Sequence, residues 1–452
     1  VTRRDPSWNA TGGSLEGLPR VAWGRGSYVF DAGGRRYLDA SGGPAVFCLG
    51  HAHPEVNAAI EAQLHKIAHG YRYSFTSEPL EQLTAQLLAA CGPEFESIVF
   101  VSGGSEAVES ALKVALQYHS ARGERTRRRF IARRRSWHGN TLGALAVSDF
   151  RARREPFEGA LVEASFLSSV NAYRPPEGVA PGAVAESCAA ELEAEILRLG
   201  AERVCAFIFE PVVGAAGGVV PAPPGYARRV REICDRHGVL MIADEVMCGA
   251  GRTGTFRALE HDGVVPDVMA IAKGLGGGYV PLGATLYTRR VGAVLDADGG
   301  PLTGHTFSGH TLACAAAVAV QSVIQRDGLI ARVRRDGEAL RGALAAELGA
   351  VEAVGEVRGR GFFVGVELVA DRATRRPFEA EVRLAARIGR AAADDGLLCY
   401  PVGGNVDGER GDAVILAPPY NATPGELDEL VSRFTRAVRS VVASLPAVAP
   451  AR

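Results

Sequence analysis

Residues 268–279 read VMAIAKGLGGGY, an apolar run of strand length that ends on Lys273 and opens at once into a glycine-rich stretch. Residues 239–244, VLMIAD, have the same form and end on Asp244. Runs that are apolar on both faces are typical of strands buried inside a parallel sheet. Ligands of such sheets gather in the crevice outside the carboxyl ends of the strands. The two runs therefore predict an acid and an amine delivered to one crevice. That pair suits pyridoxal phosphate: the amine forms a Schiff base, and the carboxylate keeps the ring nitrogen protonated.

Working outward, strand and helix periods alternate. SIVFVSGG precedes the helical SEAVESALKVALQYH, and RRFIARR and RVCAFIFEP are further strands, with YARRVREICDRHG as helical text before VLMIAD. This predicts an α/β fold with a mostly parallel sheet covered by helices on both faces. Gly26 to Asp39 alternates as a hairpin with Gly33–Gly34 at its turn. A helix follows GHAHPE, with Val56, Ala59, Ile60, Gln63 and Leu64 on one face. Leu312 to Ile324 reads as a buried or interface helix interrupted by Gln321. The tail reads as two short strands in VGEVRGRGFFVGVELV, a helix from about Glu381 to Asp394, two more strands, and an amphipathic helix bearing Leu427, Leu430, Val431, Phe434 and Val438. The expected division is residues 1–65 as the N-terminal part of a small domain, 66–328 as the large domain and 329–452 as the C-terminal part of the small α+β domain. Ser165 to Gly182 is the least regular stretch and reads as a surface loop near the site's mouth.

Composition is that of a globular chain, 47% hydrophobic and 22% charged, with a net charge of −1. That balance gives no global attraction to nucleic acid or an anionic membrane. The eight cysteines are scattered and lack a C-x-x-C pair, as expected for reduced thiols in the cytoplasm. The start, VTRRDPSWNATGG, shows no apolar signal core, and no run reaches membrane-spanning length.

SGGSEAVES sets two glycines and Ser105 where a strand turns into a helix, so N–H groups and the helix dipole could hold a phosphate. The plainer alternative is an ordinary start with Ser105 as N-cap and Glu109 in the first turn. In SWHGNT (136–141), Trp137 could stack on a planar ring, although a lone Trp or His is more often packing. No histidine has metal-ligand spacing, so no metal is expected. Eight arginines run from Arg122 to Arg135, and a solvated loop explains them better than nucleic acid. No G-K-[ST] loop or dinucleotide fingerprint is present.

Taken in order, SGGSEAVESALK, SWHG, FEPVVGAAGGVVPAPPGY, ADEVMCGAGRTGTF, AIAKGLGGGYVPLGA and HTFSGHTLACAAA resemble the class III aminotransferases across nearly the whole chain. The resemblance implies the fold type I architecture of pyridoxal phosphate enzymes and a homodimer with active sites at its interface. By this resemblance Lys273 is the Schiff-base lysine and proton carrier, Asp244 the ring-nitrogen partner, and Val246 the residue under the ring. Gly104 and Ser105 match the phosphate cup, and Thr306 the threonine that reaches the partner subunit's phosphate. Trp137 stands where the family usually has Tyr or Phe, followed by His138 and a glycine. Glu210 matches a glutamate near the cofactor that often gates a substrate-binding arginine.

The departures bear on substrate. Relatives acting on ornithine or 4-aminobutyrate carry Arg shortly before Ala-Pro-Pro, where this chain has Ile415. The tail GGNVDGERGDAVILAPPY is instead similar to ω-aminotransferases with an arginine before Gly-Asp. That makes Arg410 a candidate for a substrate carboxylate, with an exposed loop arginine as the alternative. Ala45 falls where many ω-aminotransferases put a bulky aromatic, which implies a roomier pocket. Thr311 replaces the usual Pro, with no functional reading. The function implied is transfer of an amino group from an amine or amino acid to a keto acid or aldehyde, in two half-reactions by way of Lys273 and pyridoxamine phosphate. An amino-acid racemase, epimerase or aminomutase shares these motifs. A non-catalytic binding protein on this fold would be expected to lack the lysine.

Overall fold

In a computed structural model, the structure describes residues 18–445. The start VTRRDPSWNATGG, within the expected 1–65 segment, lies outside the described residues, as do residues 446–452.

The apolar runs assemble into one seven-stranded sheet. Its strands are β1 (Phe95–Val101), β2 (Arg129–Arg133), β3 (Ala164–Leu167), β4 (Val204–Phe209), β5 (Leu240–Asp244), β6 (Val268–Ile271) and β7 (Gly283–Thr288). The spatial order is β1-β7-β6-β5-β4-β2-β3. Only the two pairings made by β7 are antiparallel; the other four are parallel. β4, β5 and β6 are buried along their whole length, which is why they read as unbroken apolar text. The helix Gly104–Ala121 packs one face, and the helices Val184–Leu199 and Tyr226–His237 pack the other. Ser165 to Leu167 belong to β3, so the irregular stretch is shorter than expected. The loop beyond β3 docks away from the cavity, with Arg174 paired to buried Glu367.

The tail forms a second, antiparallel sheet from Val354–Arg360, Phe363–Leu368, Asp412–Leu416 and Tyr400–Gly403. It is covered by Leu329–Leu348, Leu384–Asp394 and Pro424–Ala443. The last helix opens with a capping box between Thr423 and Glu426 and buries Leu427, Leu430, Phe434 and Val438. The N-terminal hairpin joins this lobe: Leu397–Leu398 pair in parallel with Leu38–Asp39. Two details depart from the expectations set by the sequence. In the helix Pro54–Lys66, Val56 and Gln63 are buried but Leu64 is exposed. The arginine run is solvated only in part: Arg122, Arg125, Arg128 and Arg134 are exposed, but Arg133 is buried and Arg127 donates to the carbonyls of Ala201, Val204 and His237.

Among the described residues no helix is long and apolar enough to cross a membrane.

Candidate active site

β5 and β6 lie side by side in parallel, with Asp244 level with Ala270. Three residues beyond Ala270 the backbone of Lys273 turns left-handed, with φ 46°, and a short turn, Lys273–Leu275, reverses the chain. A lysine at positive φ is held there by its surroundings rather than by preference. The helix Thr311–Arg326 supplies the support: Gln321 Nε2 donates to the carbonyls of Gly274 and Leu275 at 3.1 and 2.9 Å. In sequence Gln321 interrupts an apolar helix; in the fold it is the strut behind the lysine turn. Gln321→Leu should therefore leave the Leu275 carbonyl unpartnered and the Gly274 carbonyl with only the Cys48 thiol at 3.6 Å, and cost about 1–3 kcal/mol of stability. A thermal midpoint unchanged from wild type would remove that role.

The Lys273 amine projects into a cavity of about 290 Å³. Its one hydrogen-bond partner among the described residues is the carbonyl of Pro44, at 3.4 Å. Pro44 is placed there by Gly42 and Gly43, both left-handed; a Cβ on Gly42 would stand 2.6 Å from the Ala417 carbonyl oxygen. Burial lowers the lysine's proton affinity, opposed by the charges of Asp244 and Glu210.

Asp244 is buried and lines the same cavity. One oxygen accepts the Val246 N–H at 3.0 Å, and the other lies 2.7 Å from His138 Nδ1, which donates to it. His138 Nε2 is buried without a partner. His138 thus supports Asp244 directly. Glu210 accepts the N–H of Trp137 at 2.9 Å and that of Gly214 at 2.8 Å, so both its oxygens are engaged. Burial pushes its carboxyl up to about 7, with His138 acting the other way.

At the far end of the cavity the helix Gly104–Ala121 begins. Its N-cap is Gly103, not Ser105, and the acid in its first turn is Glu106, not Glu109. Ser105 Oγ instead accepts the N–H of Asn140 at 3.0 Å. A Cβ on Gly104 would come within 2.8 Å of the Val246 side chain, so the glycine keeps the floor of the cavity open. Free helix-start N–H groups, an open floor, a tryptophan wall, a buried carboxylate and an amine together fit pyridoxal phosphate.

Of the residues singled out from sequence, Lys273, Asp244, Gly104, Ser105, Trp137, His138, Glu210 and Val246 all line this one cavity. Ala45 is buried beside it, at φ 61°, and Val46 is the residue that forms the wall. Thr306 lies on an exposed turn and does not line the cavity of its own chain. Arg410 is exposed and bound within its loop, Nε to Asp407 Oδ2 at 2.7 Å.

Glu245, next to Asp244, faces away into the core, where it accepts the N–H groups of Ala258 and Leu259 at 2.6 and 3.0 Å. Burial raises its carboxyl to about 7, above the ordinary 4.5. Between those values the folded chain holds a proton that the unfolded chain has released. Stability from this group is therefore greatest below about pH 4.5 and is lost as pH rises through about 7. Glu245→Gln should gain stability relative to wild type by about 1–3 kcal/mol on going from pH 5 to pH 8. Denaturation midpoints of both proteins at the two pH values test this; a constant difference would refute it.

The family described as aminotransferase class-III matches residues 17–438. An uncharacterized aminotransferase of Schizosaccharomyces pombe is 40% identical, covering 95% of this chain and 94% of its own. One from Bacillus subtilis is 38% identical over 94% of this chain and 96% of its own. An amine transaminase from an uncultivated Pseudomonas species, solved in its PLP-bound form, superposes with a TM-score of 0.90 at 34% identity, covering 98% of this chain and 99% of that one. Likeness that runs unbroken through the sheet, the lysine turn and the second lobe settles kinship: this chain belongs to the class III aminotransferases, pyridoxal phosphate enzymes of fold type I.

Proposed function

We propose that this chain moves an amino group from an amine or amino acid to a keto acid or aldehyde in two half-reactions, as an interface-sited homodimer in the cytoplasm. The observation that carries the reading is the pairing of Lys273 with Asp244 at the ends of adjacent parallel strands. When bound, pyridoxal phosphate supplies a carbonyl that takes up amines and a ring that spreads the electron pair left when the substrate Cα loses its proton. Lys273 Nζ takes and returns that proton, and its lowered proton affinity keeps more of it in the basic form. Asp244, steadied by His138, holds a proton on the ring nitrogen. Gly104 and Ser105 would hold the phosphate at the helix start, Trp137 and Val246 would hold the ring, and Glu210 fixes the Trp137 backbone.

The dimer is supported by an exposed apolar band, Tyr71, Tyr73, Phe75, Leu302 and Phe307, that adjoins Thr306. In a dimer that band is covered, and Thr306 serves the partner's phosphate. Eight unpaired cysteines, seven of them buried, support a reducing compartment.

The test is to mix the cofactor-loaded protein with a panel of amines and amino acids in the absence of keto acid. Release of about one carbonyl product per site, followed by full turnover when pyruvate or 2-oxoglutarate is added, is the expected result. Racemised substrate with no carbonyl product would overturn the reading.

A further inference from the structure

Two guanidinium groups bear on the Lys273 amine, those of Arg153 and Arg252. Arg252 is buried and spent on the backbone: it donates to the carbonyls of Phe362, Pro418 and Phe47 at 3.3, 2.6 and 3.3 Å. It ties the two lobes together. Arg153 is different. It sits in the short helix Arg151–Arg154, with its guanidinium carbon 4.6 Å from the centre of the Trp137 ring and 4.8 Å from that of Phe150. Those two rings meet edge to face at 5.8 Å, and Trp137 is a wall of the cavity.

Arg151 and Arg154 of the same helix, and Arg135, have carboxylate partners. Arg151 pairs with Glu155 and Glu409, Arg154 with Glu158, and Arg135 with Asp149. Among the described residues Arg153 has none. Arg153 is exposed to solvent. Contact with two rings whose planes differ by 74° limits where its guanidinium lies, and no described side chain occupies its N–H fork. An uncompensated fork beside the cavity wall is matched by a carboxylate held through two parallel hydrogen bonds. Neither carboxylate of the cavity pairs with it: Glu210 is engaged by two backbone N–H groups, and Asp244 by the Val246 N–H and His138. The cavity also offers apolar side chains, among them Val46, Ala215 and Met247. An uncharged amine would pack there without needing the arginine.

We propose that Arg153, set against Trp137 and Phe150 beside the cavity wall, binds the carboxylate of amino acid and keto acid substrates, and so lets one pocket take both charged and uncharged partners. This rests on the aminotransferase reading above. It assigns the carboxylate to Arg153 in place of Arg410, whose Nε is already bound to Asp407.

The experiment compares wild type, Arg153→Gln, Arg153→Lys and Arg410→Gln, each with pyridoxal phosphate bound. KM is measured for pyruvate and 2-oxoglutarate as acceptors, and kcat/KM for L-alanine, β-alanine, benzylamine and 1-phenylethylamine as donors. Succinate, which has neither amine nor carbonyl, serves as a competitive inhibitor. Arg153→Gln is expected to raise KM for the keto acid and Ki for succinate about 10- to 100-fold, with kcat/KM for the uncharged amines within about twofold of wild type. Arg153→Lys should recover part of the loss, because charge survives but the fork does not. Equal losses for charged and uncharged substrates, or a selective loss in Arg410→Gln and none in Arg153→Gln, would overturn the assignment. A wild-type chain that transfers no amine at all defeats the parent reading and this one with it. A wild type that turns over beside an unchanged Arg153→Gln defeats this one alone.

Discussion

Lys273→Ala should reduce amine transfer by about 10⁴-fold or more, because one side chain is asked to do two jobs. Among the described residues it is the sole amine lining the cavity, and on the proposed mechanism it both holds the cofactor's carbonyl between turnovers and moves the substrate's Cα proton. The loss will not come from unfolding. Lys273 Nζ makes a single long contact, 3.4 Å to the Pro44 carbonyl, and the turn that carries it is held instead by Gln321. Removing the side chain also relieves no backbone constraint, since alanine meets the same difficulty at φ 46°. The thermal midpoint should therefore stay close to wild type while turnover disappears. Lys273→Arg is the sharper control, because it keeps a cation of similar reach but cannot lose its proton at neutral pH. It should be as inactive as the alanine variant. Residual turnover within tenfold of wild type in either protein would exclude Lys273 from the proton transfer.

The pattern of what could be read from sequence has a physical explanation. Lys273 and Asp244 were legible because each terminates a strand buried on both faces. Such a strand writes itself as continuous apolar text, and the first polar residue after it stands at the sheet's carboxyl edge. The same logic put a helix start just after the strand SIVFV, although the cap, Gly103, fell two positions earlier than the hydroxyl of Ser105 suggested. The family resemblance supplied the roles of Val246, Thr306 and Glu210, which no periodicity marks. What escaped was everything made by long-range pairing. Gln321 looked like a fault in an apolar helix because its partners, Gly274 and Leu275, lie 47 and 46 residues away. Nothing in the sequence singled out Arg153; the fold brings it against Trp137 and gives Arg151 and Arg154 their carboxylates. Leu64 shows the reverse error: helical spacing put it on the packed face, but that face ends before it. Local text records which face of an element is buried and loses accuracy at the element's ends, where neighbours decide.

Asp244→Asn should lower kcat/KM by about 10²- to 10⁴-fold with little change in fold, and the comparison with His138 variants shows why the charge is what matters. Asparagine has the same shape and can still accept the Val246 N–H, which lies 3.0 Å from Oδ1. What it lacks is the negative charge that, on the proposed mechanism, makes protonation of a ring nitrogen favourable beside a buried carboxylate. Without that proton the ring is a poorer acceptor of the electron pair left at Cα, so the penalty falls on the step that breaks the C–H bond. A deuterium label on Cα of the donor should then show a larger rate effect in the variant than in wild type. His138 acts only through the carboxylate: Nδ1 is 2.7 Å from Asp244, and Nε2 has no partner in the core. His138→Phe should accordingly cost less, about 10- to 100-fold, the scale seen when a supporting hydrogen bond behind an essential group is removed. The double variant should be little worse than Asp244→Asn alone, since a support has no effect once the charge it steadies is gone. If the two losses instead multiply, His138 acts on the reaction by a route other than Asp244. If Asp244→Asn costs less than tenfold and leaves the isotope effect unchanged, ring protonation is not what the buried carboxylate provides.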